Sequence, residues 1–336
     1  MRVLVTGGCG FIGSNFIKYL LTDQEITIFP DLDLEVFNVD KQTYAGQGKN
    51  LEHMGLTKHL GYSFVKGDIC DRGLMERVFS EHKPEMVFNF AAESHVDRGI
   101  LNASPFVTTN LLGTQVLLDL AVKHDVDRFV QVSTDEVYGS LSKDAPSSKE
   151  TDLKHPRSAY SASKSGAEDL AIAACETHAL PVVITRSSNN YGPYQFPEKL
   201  LPLFITNLIE GKKVPLMWSP ENPGLNVRDW LHVEDNCRAI WFLARKGIPG
   251  GVYNIPGKTE RTNAYMTSIL INEFGFGEEM VERVPHRLGH DFRYSINGDK
   301  LRELGFEYKH TDLGRGIKDL VTWYKANESW WRPLKK

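Results

Sequence analysis

Short runs of Val, Ile, Leu and Phe alternate along the first half of the chain with longer stretches whose apolar residues recur at helical spacing. Strands buried on both faces of a parallel sheet have such continuous apolar runs, and crossover helices join them. We therefore predict a doubly wound α/β core with a parallel sheet. The predicted strands are Arg2–Thr6, Val36–Asp40, Tyr62–Lys66, Met86–Phe90, Arg128–Ser133 and Val182–Arg186.

The regular alternation stops at about Ser187, where prolines become frequent. Two later segments, Trp230–Val233 and Val252–Ile255, have the composition of strands that could return to the first sheet. We therefore predict two units that are not contiguous in sequence. The first is a nucleotide-binding domain of residues 1–186 plus about 230–257, and the second is a smaller substrate-binding lobe of about 187–229 and 258–336.

Composition excludes several classes of protein. The 336 residues are 41% hydrophobic and 24% charged, as in an ordinary globular chain with a sizeable core. The formal charge of -4 leaves no positive field, which counts against general nucleic-acid binding. An anionic ligand would need specific local contacts.

The apolar runs, cysteines and histidines of the sequence indicate the expected cellular location and metal content. We find no run of 18 apolar residues and no apolar signal core at the start, so we expect a cytoplasmic protein without a membrane partner. The four cysteines form no Cys-x-x-Cys pair and are expected to be buried free thiols. His286 and His290 lie four apart, but Gly289 between them and the lack of a glutamate motif argue against zinc. We expect no metal.

Three glycines spaced three apart follow the first predicted strand. Gly7, Gly10 and Gly13 lie in a segment that leads into an amphipathic helix. In dinucleotide-binding folds such glycines make the tight turn, let the backbone approach a pyrophosphate and allow close packing of helix on strand. The helix N-terminus adds free N–H groups and a partial positive charge. Because strand, turn and helix come in the required order, we predict a dinucleotide site.

The second strand ends in Asp40, which can accept hydrogen bonds from the adenosine ribose and favours NAD over NADP. Its separation from the glycines exceeds the usual ~20 residues, and an insertion at Phe29–Leu34 accounts for the difference. Lys41 beside it could tolerate the extra phosphate of NADP, so that alternative stays open. Asp68, after the third strand, is either an adenine-end contact or an exposed turn residue.

Candidate chemistry lies at the end of the fifth predicted strand, in Thr134-Asp135-Glu136. Ligands bind at the carboxyl ends of parallel strands, although an adjacent acid pair can also be a solvated loop. Tyr160 and Lys164 lie four apart on one helix face. A lysine cation beside a phenol favours phenolate and is expected to lower the pKa of Tyr160, which makes it a usable base. With the glycine turn, these residues predict a hydride-transfer site.

These motifs resemble those of the extended short-chain dehydrogenase/reductases that act on nucleotide sugars and, within them, the dTDP-glucose 4,6-dehydratases. The resemblance covers nearly the whole chain and implies a Rossmann-type sheet with a smaller C-terminal lobe. Its most discriminating part is the acid pair, which relatives that only epimerise usually lack. The segments that carry it are Thr6–Gly13, Val39–Lys41, Thr43–Gly46, Ala91–Arg98, Ser133–Gly139, Tyr160–Lys164, Ser188–Tyr194, Phe196–Leu200, Arg228–Trp230, Gly289–Asp291 and Arg293–Tyr294.

The resemblance implies an NAD-dependent conversion of dTDP-glucose to dTDP-4-keto-6-deoxyglucose. Tyr160 would deprotonate the sugar 4-hydroxyl while NAD takes the C4 hydride, and Thr134 would hydrogen-bond the same oxygen. The new ketone makes the C5 proton acidic, so Glu136 as base and Asp135 as acid would eliminate water, and NADH would return the hydride to C6. Neighbouring carboxyls tend to separate their pKa values, which suits one acid and one base.

The resemblance also implies the ligand contacts, with the catalytic set being Thr134, Asp135, Glu136, Tyr160 and Lys164. Arg228 and Lys199 suit a diphosphate by charge. The implied NAD contacts are Gly7, Gly10, Phe11, Ile12, Gly13, Asp40, Lys41, Thr43, Asp68, Ile69, Ala91, Ala92, Thr109, Tyr160 and Lys164. The implied substrate contacts are Ser94, Thr134, Asn189, Lys199, Leu200, Arg228, Asn263, His290 and Tyr294.

Two features depart from the family pattern. Ser187 stands where these dehydratases usually have Cys, and Met217–Asn226, near the nucleotide base, is longer than their short glycine-rich turn. A UDP-sugar substrate therefore stays an alternative, as do a nucleotide-sugar epimerase or decarboxylase and an NAD-sensing scaffold without activity. The presence of Tyr160, Lys164 and both acids counts against the scaffold.

We also expect a homodimer. The helices predicted over Pro105–Lys123 and Ala159–His178 carry more apolar positions than one sheet-facing stripe needs, and family relatives pair these helices as a four-helix bundle. Twofold symmetry is the commonest oligomer geometry, although the C-terminal lobe could cover the second face instead. The apolar positions of the two helices are Leu111, Leu112, Val116, Leu117, Leu118, Leu120, Ala162, Ala167, Leu170, Ala171, Ile172 and Ala174.

Overall fold

The structure is a computed structural model that describes residues 1–23, 34–46, 48–287 and 289–335, apart from the side chains of residues 96–98. Residues 29–33 of the predicted insertion lie outside this description.

A seven-stranded parallel sheet forms the centre of the fold, in the order β10-β6-β5-β4-β1-β2-β3. The doubly wound α/β prediction is confirmed, and each of the six predicted strands of the first half lies in this sheet. The strands are β1 (Arg2–Thr6), β2 (Glu35–Asp40), β3 (Tyr62–Lys66), β4 (Met86–Asn89), β5 (Arg128–Thr134), β6 (Val182–Ser187), β7 (Asn189–Tyr191), β8 (Val214–Met217), β9 (Val227–His232), β10 (Gly251–Ile255), β11 (Glu260–Thr262) and β12 (Val281–Val284).

Helices cover both faces of the sheet, and a short 3-10 helix at Asp135–Tyr138 follows β5. The helices are α1 (Phe11–Thr22), α2 (Lys49–His53), α3 (Arg72–His82), α4 (Val96–Leu101), α5 (Ser104–Lys123), α6 (Ala159–His178), α7 (Leu200–Ile209), α8 (Val233–Lys246), α9 (Asn263–Glu273), α10 (Asp299–Glu303), α11 (Leu313–Ala326) and α12 (Glu328–Trp331).

Successive residues of β1 pack into different hydrophobic clusters on the two faces. Val3 and Val5 contribute to the cluster that includes Phe16 of α1 and Ile240 of α8. Leu4 contributes to the opposite cluster, which also contains residues of α3, α5 and α6. All three β1 side chains are fully buried, because a central strand of a doubly wound sheet has no solvent face. This burial explains the continuous apolar run in the sequence.

The two later strands have different fates. β10 joins the large sheet beside β6, as predicted. The expectation that Trp230–Val233 could return there is wrong, because β9 pairs with β7 and β11 in a separate three-stranded sheet. Trp230 packs into the hydrophobic cluster of the C-terminal part, and Val233 already begins α8. An apolar run shows that a strand is buried but not which sheet buries it.

An aromatic cluster connects the last helices to the N-terminal part of the chain. The rings of Trp323 and Trp330 lie 4.7 and 5.3 Å from that of Tyr194. Trp330 Nε1 donates a hydrogen bond to Asn50 Oδ1, and Asn50 Nδ2 donates to Cys9 O and to Ser14 Oγ. The buried Asn50 side chain therefore links the C-terminal segment to the glycine turn.

Within the described residues, α5 is the one helix long and apolar enough to cross a membrane by length and composition. Half of its most apolar stretch is buried inside the fold, and the helix packs against α6. Leu117, Leu120 and Ala121 are fully buried in the sheet-facing cluster. We interpret α5 as a core helix of the α/β fold.

Candidate active site

A cavity of about 360 Å³ lies at the carboxyl ends of the central strands. The glycine turn forms one side, and the end of β5 with the start of α6 forms the other. The structure brings all the predicted cofactor and catalytic residues to this cavity. These residues are Gly7, Gly10, Phe11, Ile12, Gly13, Asp40, Lys41, Thr43, Asp68, Ile69, Ala91, Ala92, Thr109, Thr134, Asp135, Glu136, Tyr160 and Lys164.

At two positions of the turn, other backbone atoms come so close that only glycine fits. Gly7 has φ +73, and a Cβ there would lie 2.6 Å from the backbone nitrogen of Ala91. A Cβ on Gly13 would lie 2.4 Å from Gly7 O. Any larger residue would force the turn apart. Without side chains in the way, a ligand can approach the backbone at the start of α1.

The Asp40 carboxylate is fixed beside the glycine turn. Its Oδ2 accepts a hydrogen bond from Cys9 N at 2.9 Å, and its Oδ1 accepts one from Gln42 N at 2.7 Å. Burial raises the pKa of this carboxyl, and the two backbone donors oppose that shift. Lys41 forms an ion pair with Asp68, with 2.6 Å between Nζ and Oδ2. The cation that kept NADP open as an alternative is thus engaged by a neighbouring carboxylate.

Thr134 ends β5 and caps the 3-10 helix that carries both acids, because its Oγ1 accepts a hydrogen bond from Glu136 N at 3.3 Å. Burial, followed by the charges of Glu136 and Asp229, raises the pKa of Asp135 well above its ordinary value. Burial also raises the pKa of Glu136, while the charge of Arg228 lowers it. The charge of Arg228 lowers the pKa of both carboxyls, and the charges of Arg287 and Lys199 also lower that of Glu136, so the nearby cations favour ionised Glu136 over ionised Asp135.

Tyr160 and Lys164 lie in the first turns of α6, which Ser158 begins with a capping box that also involves Ser161. The predicted lowering of the Tyr160 pKa is wrong. Burial and then the charges of Glu136 and Asp135 raise it, against a hydrogen bond with Thr134. Lys164 Nζ donates to Val132 O at 2.5 Å. The helical spacing placed the cation beside the phenol, but it did not show that burial and the charges of Asp135 and Glu136 would raise the pKa of Tyr160.

Four of the predicted substrate contacts, Ser94, Thr134, Asn189 and Lys199, line the cavity. The other five lie outside the described lining: Leu200, Arg228, Asn263, His290 and Tyr294.

Arg228 is buried and connects this outer group to the acids. Its guanidinium lies 4.3 Å from the ring centroid of Tyr294 and donates to Val227 O and Asp291 O. Tyr294 donates to Asp291 Oδ2 at 2.5 Å. The charge of Arg228 acts on Glu136. Arg228, Tyr294 and Asp291 therefore adjoin the site although they do not line the cavity.

Sequence reasoning missed Asn110, which lies in a π-helical stretch of α5 at Val107–Gly113. Its Oδ1 accepts from Glu93 N, and its Nδ2 donates to Glu93 O and to Ser163 Oγ at 2.8 Å. π-helical turns concentrate at functional sites. A buried asparagine in a strongly apolar helix was the signal that could have identified it.

Glu198 was also missed as an individual residue, although it lies in a segment that carries the family resemblance. It lines the cavity, accepts a hydrogen bond from Tyr44 at 2.9 Å and lies 3.3 Å from His95 Nε2. Ser187, where Cys is usual, lines the same cavity and donates to Asn236 Oδ1 at 2.7 Å. The hydroxyl is therefore accommodated by a buried amide.

One group in the described residues has the composition of a metal site, namely His232, Glu234 and His310, whose potential ligand atoms lie within 4.8 Å of one another. The two imidazole rings are stacked at 3.8 Å with an angle of 25° between their planes. Nearly parallel rings direct their nitrogen lone pairs along similar lines rather than toward one ion. We therefore assign no metal to this group.

A glycine turn at the start of a parallel sheet, with a Tyr-x-x-x-Lys helix at the end of its fifth strand, defines an extended short-chain dehydrogenase/reductase. Comparison with known proteins gives the particular family. The family model for GDP-mannose 4,6 dehydratase matches residues 4–319. The chain is 46% identical to dTDP-glucose 4,6-dehydratase of Actinoplanes sp. over 98% of its own length and 100% of the relative. It is 46% identical to the Streptomyces niveus enzyme of the same name over 100% of its length and 96% of the relative.

Solved structures of dehydratases and of a related epimerase have the same fold. DesIV, a dTDP-glucose 4,6-dehydratase from Streptomyces venezuelae with NAD and TYD bound, superposes with a TM-score of 0.92, 46% identity and 100% coverage of both chains. UDP-glucose 4-epimerase from Thermotoga maritima gives a TM-score of 0.86 at 30% identity, over 98% of this chain and 100% of that one. The chain belongs to the dTDP-glucose 4,6-dehydratase family.

Proposed function

We propose that the chain is an NAD-dependent hydro-lyase that converts dTDP-glucose to dTDP-4-keto-6-deoxyglucose. The observation that carries this proposal is the pair of buried Asp135 and half-buried Glu136, placed with Tyr160 in one cavity and differing in nearby charge. An epimerase needs no acid to expel a C6 hydroxyl. The family relationship and the dehydratase names of the relatives at 46% identity support the same activity.

The cavity fits NAD on the evidence of its own backbone. The close approach at Gly7 and Gly13 leaves no room for a side chain, and the α1 N-terminus begins directly after the turn. This arrangement suits a pyrophosphate, and the fixed Asp40 carboxylate suits ribose hydroxyls. The turn of Gly7 and Gly13 with Asp40 would hold NAD, which would supply hydride transfer between C4 and C6 of the sugar.

Tyr160 would take the proton of the sugar 4-hydroxyl, and Thr134 would hold the same oxygen. The pKa of Tyr160 is raised by burial and by the charges of Glu136 and Asp135. Protonation of Asp135 removes one of the two charges that oppose a phenolate. The buried Lys164 ammonium supplies positive charge on the same face of α6.

Asp135 would protonate the departing C6 hydroxyl, and Glu136 would remove the C5 proton. The raised pKa of Asp135 favours a carboxyl that still holds its proton near neutrality. Arg228 favours the ionised form of Glu136, which a base requires. For the substrate diphosphate we propose Lys199 at the cavity and Arg228 behind it. Because the Arg228 guanidinium already donates hydrogen bonds to backbone carbonyls, it would attract the diphosphate through its positive charge.

We further propose thymine as the preferred base and a cytoplasmic location. The base preference is carried by the dehydratase relatives. The lobe of about residues 187–229 and 258–336 would hold the nucleotide sugar, while residues 1–186 and about 230–257 would hold NAD.

We expect the purified chain to form dTDP-4-keto-6-deoxyglucose from dTDP-glucose without any added reductant, because the hydride taken from C4 returns to C6. Mass spectrometry and NMR of the product check this result, with UDP-, CDP- and GDP-glucose run in parallel. Free NADH accumulating in proportion to product would contradict a closed hydride cycle. A product still at the aldohexose level would indicate an epimerase.

We propose a homodimer through α4, α5 and α6, with a smaller interface than the sequence suggested. Val116, Leu117, Leu118 and Leu120 are buried within one chain, because α5 packs between the sheet and neighbouring helices. Exposed apolar side chains remain on α4 and α5, and exposed apolar surface favours a partner. They are Ile100, Leu101, Val107 and Leu112.

Light scattering at micromolar concentration is expected to give about twice the chain mass of 38.0 kDa. Leu112→Glu should produce monomer, because it places a charge in the proposed interface. Leu60→Glu is the matched control, since Leu60 is exposed just before the edge strand β3. A monomeric mass for the unmodified chain would refute the dimer.

A further inference from the structure

A buried ion pair that the proposed chemistry does not use lies behind the active site. Glu168 of α6 and Arg186 at the end of β6 are 0% and 3% exposed. Arg186 Nε donates to Glu168 Oε1 at 3.1 Å, and its Nη2 donates to Oε2 at 2.7 Å. Breaking such a pair leaves an uncompensated buried charge, so its presence calls for a role.

The Arg186 guanidinium has a second partner on the segment that carries the acids. Its Nη1 donates to Tyr138 Oη at 2.6 Å, and its Cζ lies 4.7 Å from the Tyr138 ring centroid. Tyr138 in turn donates to Asn254 Oδ1 on β10 at 2.8 Å. Because Tyr138 ends the 3-10 helix begun by Asp135, one guanidinium joins that helix, α6, β6 and, through Tyr138, β10.

Glu168 lies one helical turn beyond Lys164, on the same face of α6. Tyr160, Lys164 and Glu168 therefore form a row at i, i+4 and i+8, which ends in the carboxylate held by Arg186. Lys154 Nζ also approaches Glu168, at 3.5 Å from Oε2. A fixed negative charge thus follows a buried ammonium that donates to a backbone carbonyl.

We propose that Glu168 and Arg186 are a positioning pair that holds the segment carrying Thr134, Asp135 and Glu136 against the helix of Tyr160 and Lys164, and that the Glu168 carboxylate keeps Lys164 charged. This inference rests on the proposed function. Neither residue lines the cavity, so both act through the residues that do.

The Glu168 charge changes the pKa of Lys164 in a definite direction. Burial lowers the pKa of Lys164 to about 8, and the Glu168 charge opposes that shift. Activity that requires the ammonium is therefore lost as pH rises through this pKa. Removing the Glu168 charge moves that loss to lower pH. The ionisable groups near this part of α6 include Glu93, Asp135, Glu136, Tyr138, Lys154, Tyr160, Glu168, Asp169 and Arg186.

The test of the electrostatic part is the pH profile of Glu168→Gln, in which the alkaline limb of kcat should move down by about one pH unit. Asp169→Asn is the matched control. This neighbouring acid also binds Lys154 but is largely exposed, and its limb should coincide with that of the unmodified chain. Direct titration of Lys164 by NMR with ¹³Cε-lysine, assigned with Lys164→Met, should show the same shift. Coincident titrations in Glu168→Gln and the unmodified chain would overturn this part.

The positioning part is tested with Tyr138→Phe and Arg186→Lys, which keep the ring and the charge respectively. Both should lower kcat by about tenfold, with unchanged KM and an unmoved alkaline limb. Unchanged kcat in both would overturn it. If thermal melting shows that Glu168→Gln does not fold, Tyr138→Phe and Arg186→Lys still test whether the pair positions the catalytic residues. If the unmodified chain forms no 4-keto-6-deoxy product, the proposed function fails. If it does and the variants match it, this inference fails.

Discussion

Replacing Tyr160 with Phe is expected to lower the rate of C4 oxidation of dTDP-glucose by about a thousandfold, within the range for loss of a positioned general base. The ring should stay in place, because it packs edge-to-face with Phe106 at 6.4 Å and α6 keeps its capping box. The variant therefore removes the proton acceptor while leaving the cavity shape unchanged. NAD binding is expected to stay within a few-fold of normal.

The measurement is single-turnover formation of 4-keto sugar with enzyme in excess over dTDP-glucose. Tyr62→Phe is the matched control, since it removes a phenolic hydroxyl on β3 that accepts a hydrogen bond from Asn38. Its oxidation rate should equal that of the unmodified chain. A Tyr160→Phe rate above one tenth of normal would exclude Tyr160 as the base.

Asp135→Asn is expected to stop water loss while C4 oxidation continues, because an amide cannot protonate the leaving C6 hydroxyl. General-acid loss of this kind costs about a hundredfold to ten-thousandfold. Since burial and the Glu136 charge already favour the protonated carboxyl of Asp135, the neutral amide should preserve the local structure. The 4-keto sugar should then accumulate with its C6 hydroxyl intact.

Solvent deuterium separates the roles of the two acids. In D₂O, Asp135→Asn should give 4-keto sugar with deuterium at C5, because Glu136 still removes and returns that proton. Glu136→Gln should give 4-keto sugar that retains C5 hydrogen. Mass spectrometry after acid quench checks both. The reverse labelling pattern would exchange the roles, and equal loss of oxidation and elimination in Asp135→Asn would contradict its role as acid.

The parallel core could be predicted because both faces of its sheet are covered by helices. A central strand such as β1 is then apolar at every position, and the signal survives without knowledge of its neighbours. β9 shows the limit of this argument. It is buried as predicted, but the residues of β7 and β11 that pair with it lie more than 30 positions away in sequence on either side, and apolar composition does not specify which strands pair.

Site residues divide in the same way. The glycine turn and the pairs Asp135–Glu136 and Tyr160–Lys164 are local patterns whose spacing alone predicts their proximity. Asn110 and Arg186 depend on partners that are distant in sequence, so no local spacing indicated them. The predicted direction of the Tyr160 pKa was wrong for a related reason, because burial and carboxylates from another element raise it.

The hydrogen bond from Trp330 to Asn50 joins residues that are 280 positions apart. A ribosome releases the chain from its N-terminus and domains begin to fold as they emerge, so the glycine turn is made long before Trp330 exists. The N-terminal strands can therefore associate early, whereas Asn50 gains its indole partner only after 280 further residues have been synthesised. Nascent chains that end before Trp330 should consequently be more sensitive to protease around α2 than the finished protein.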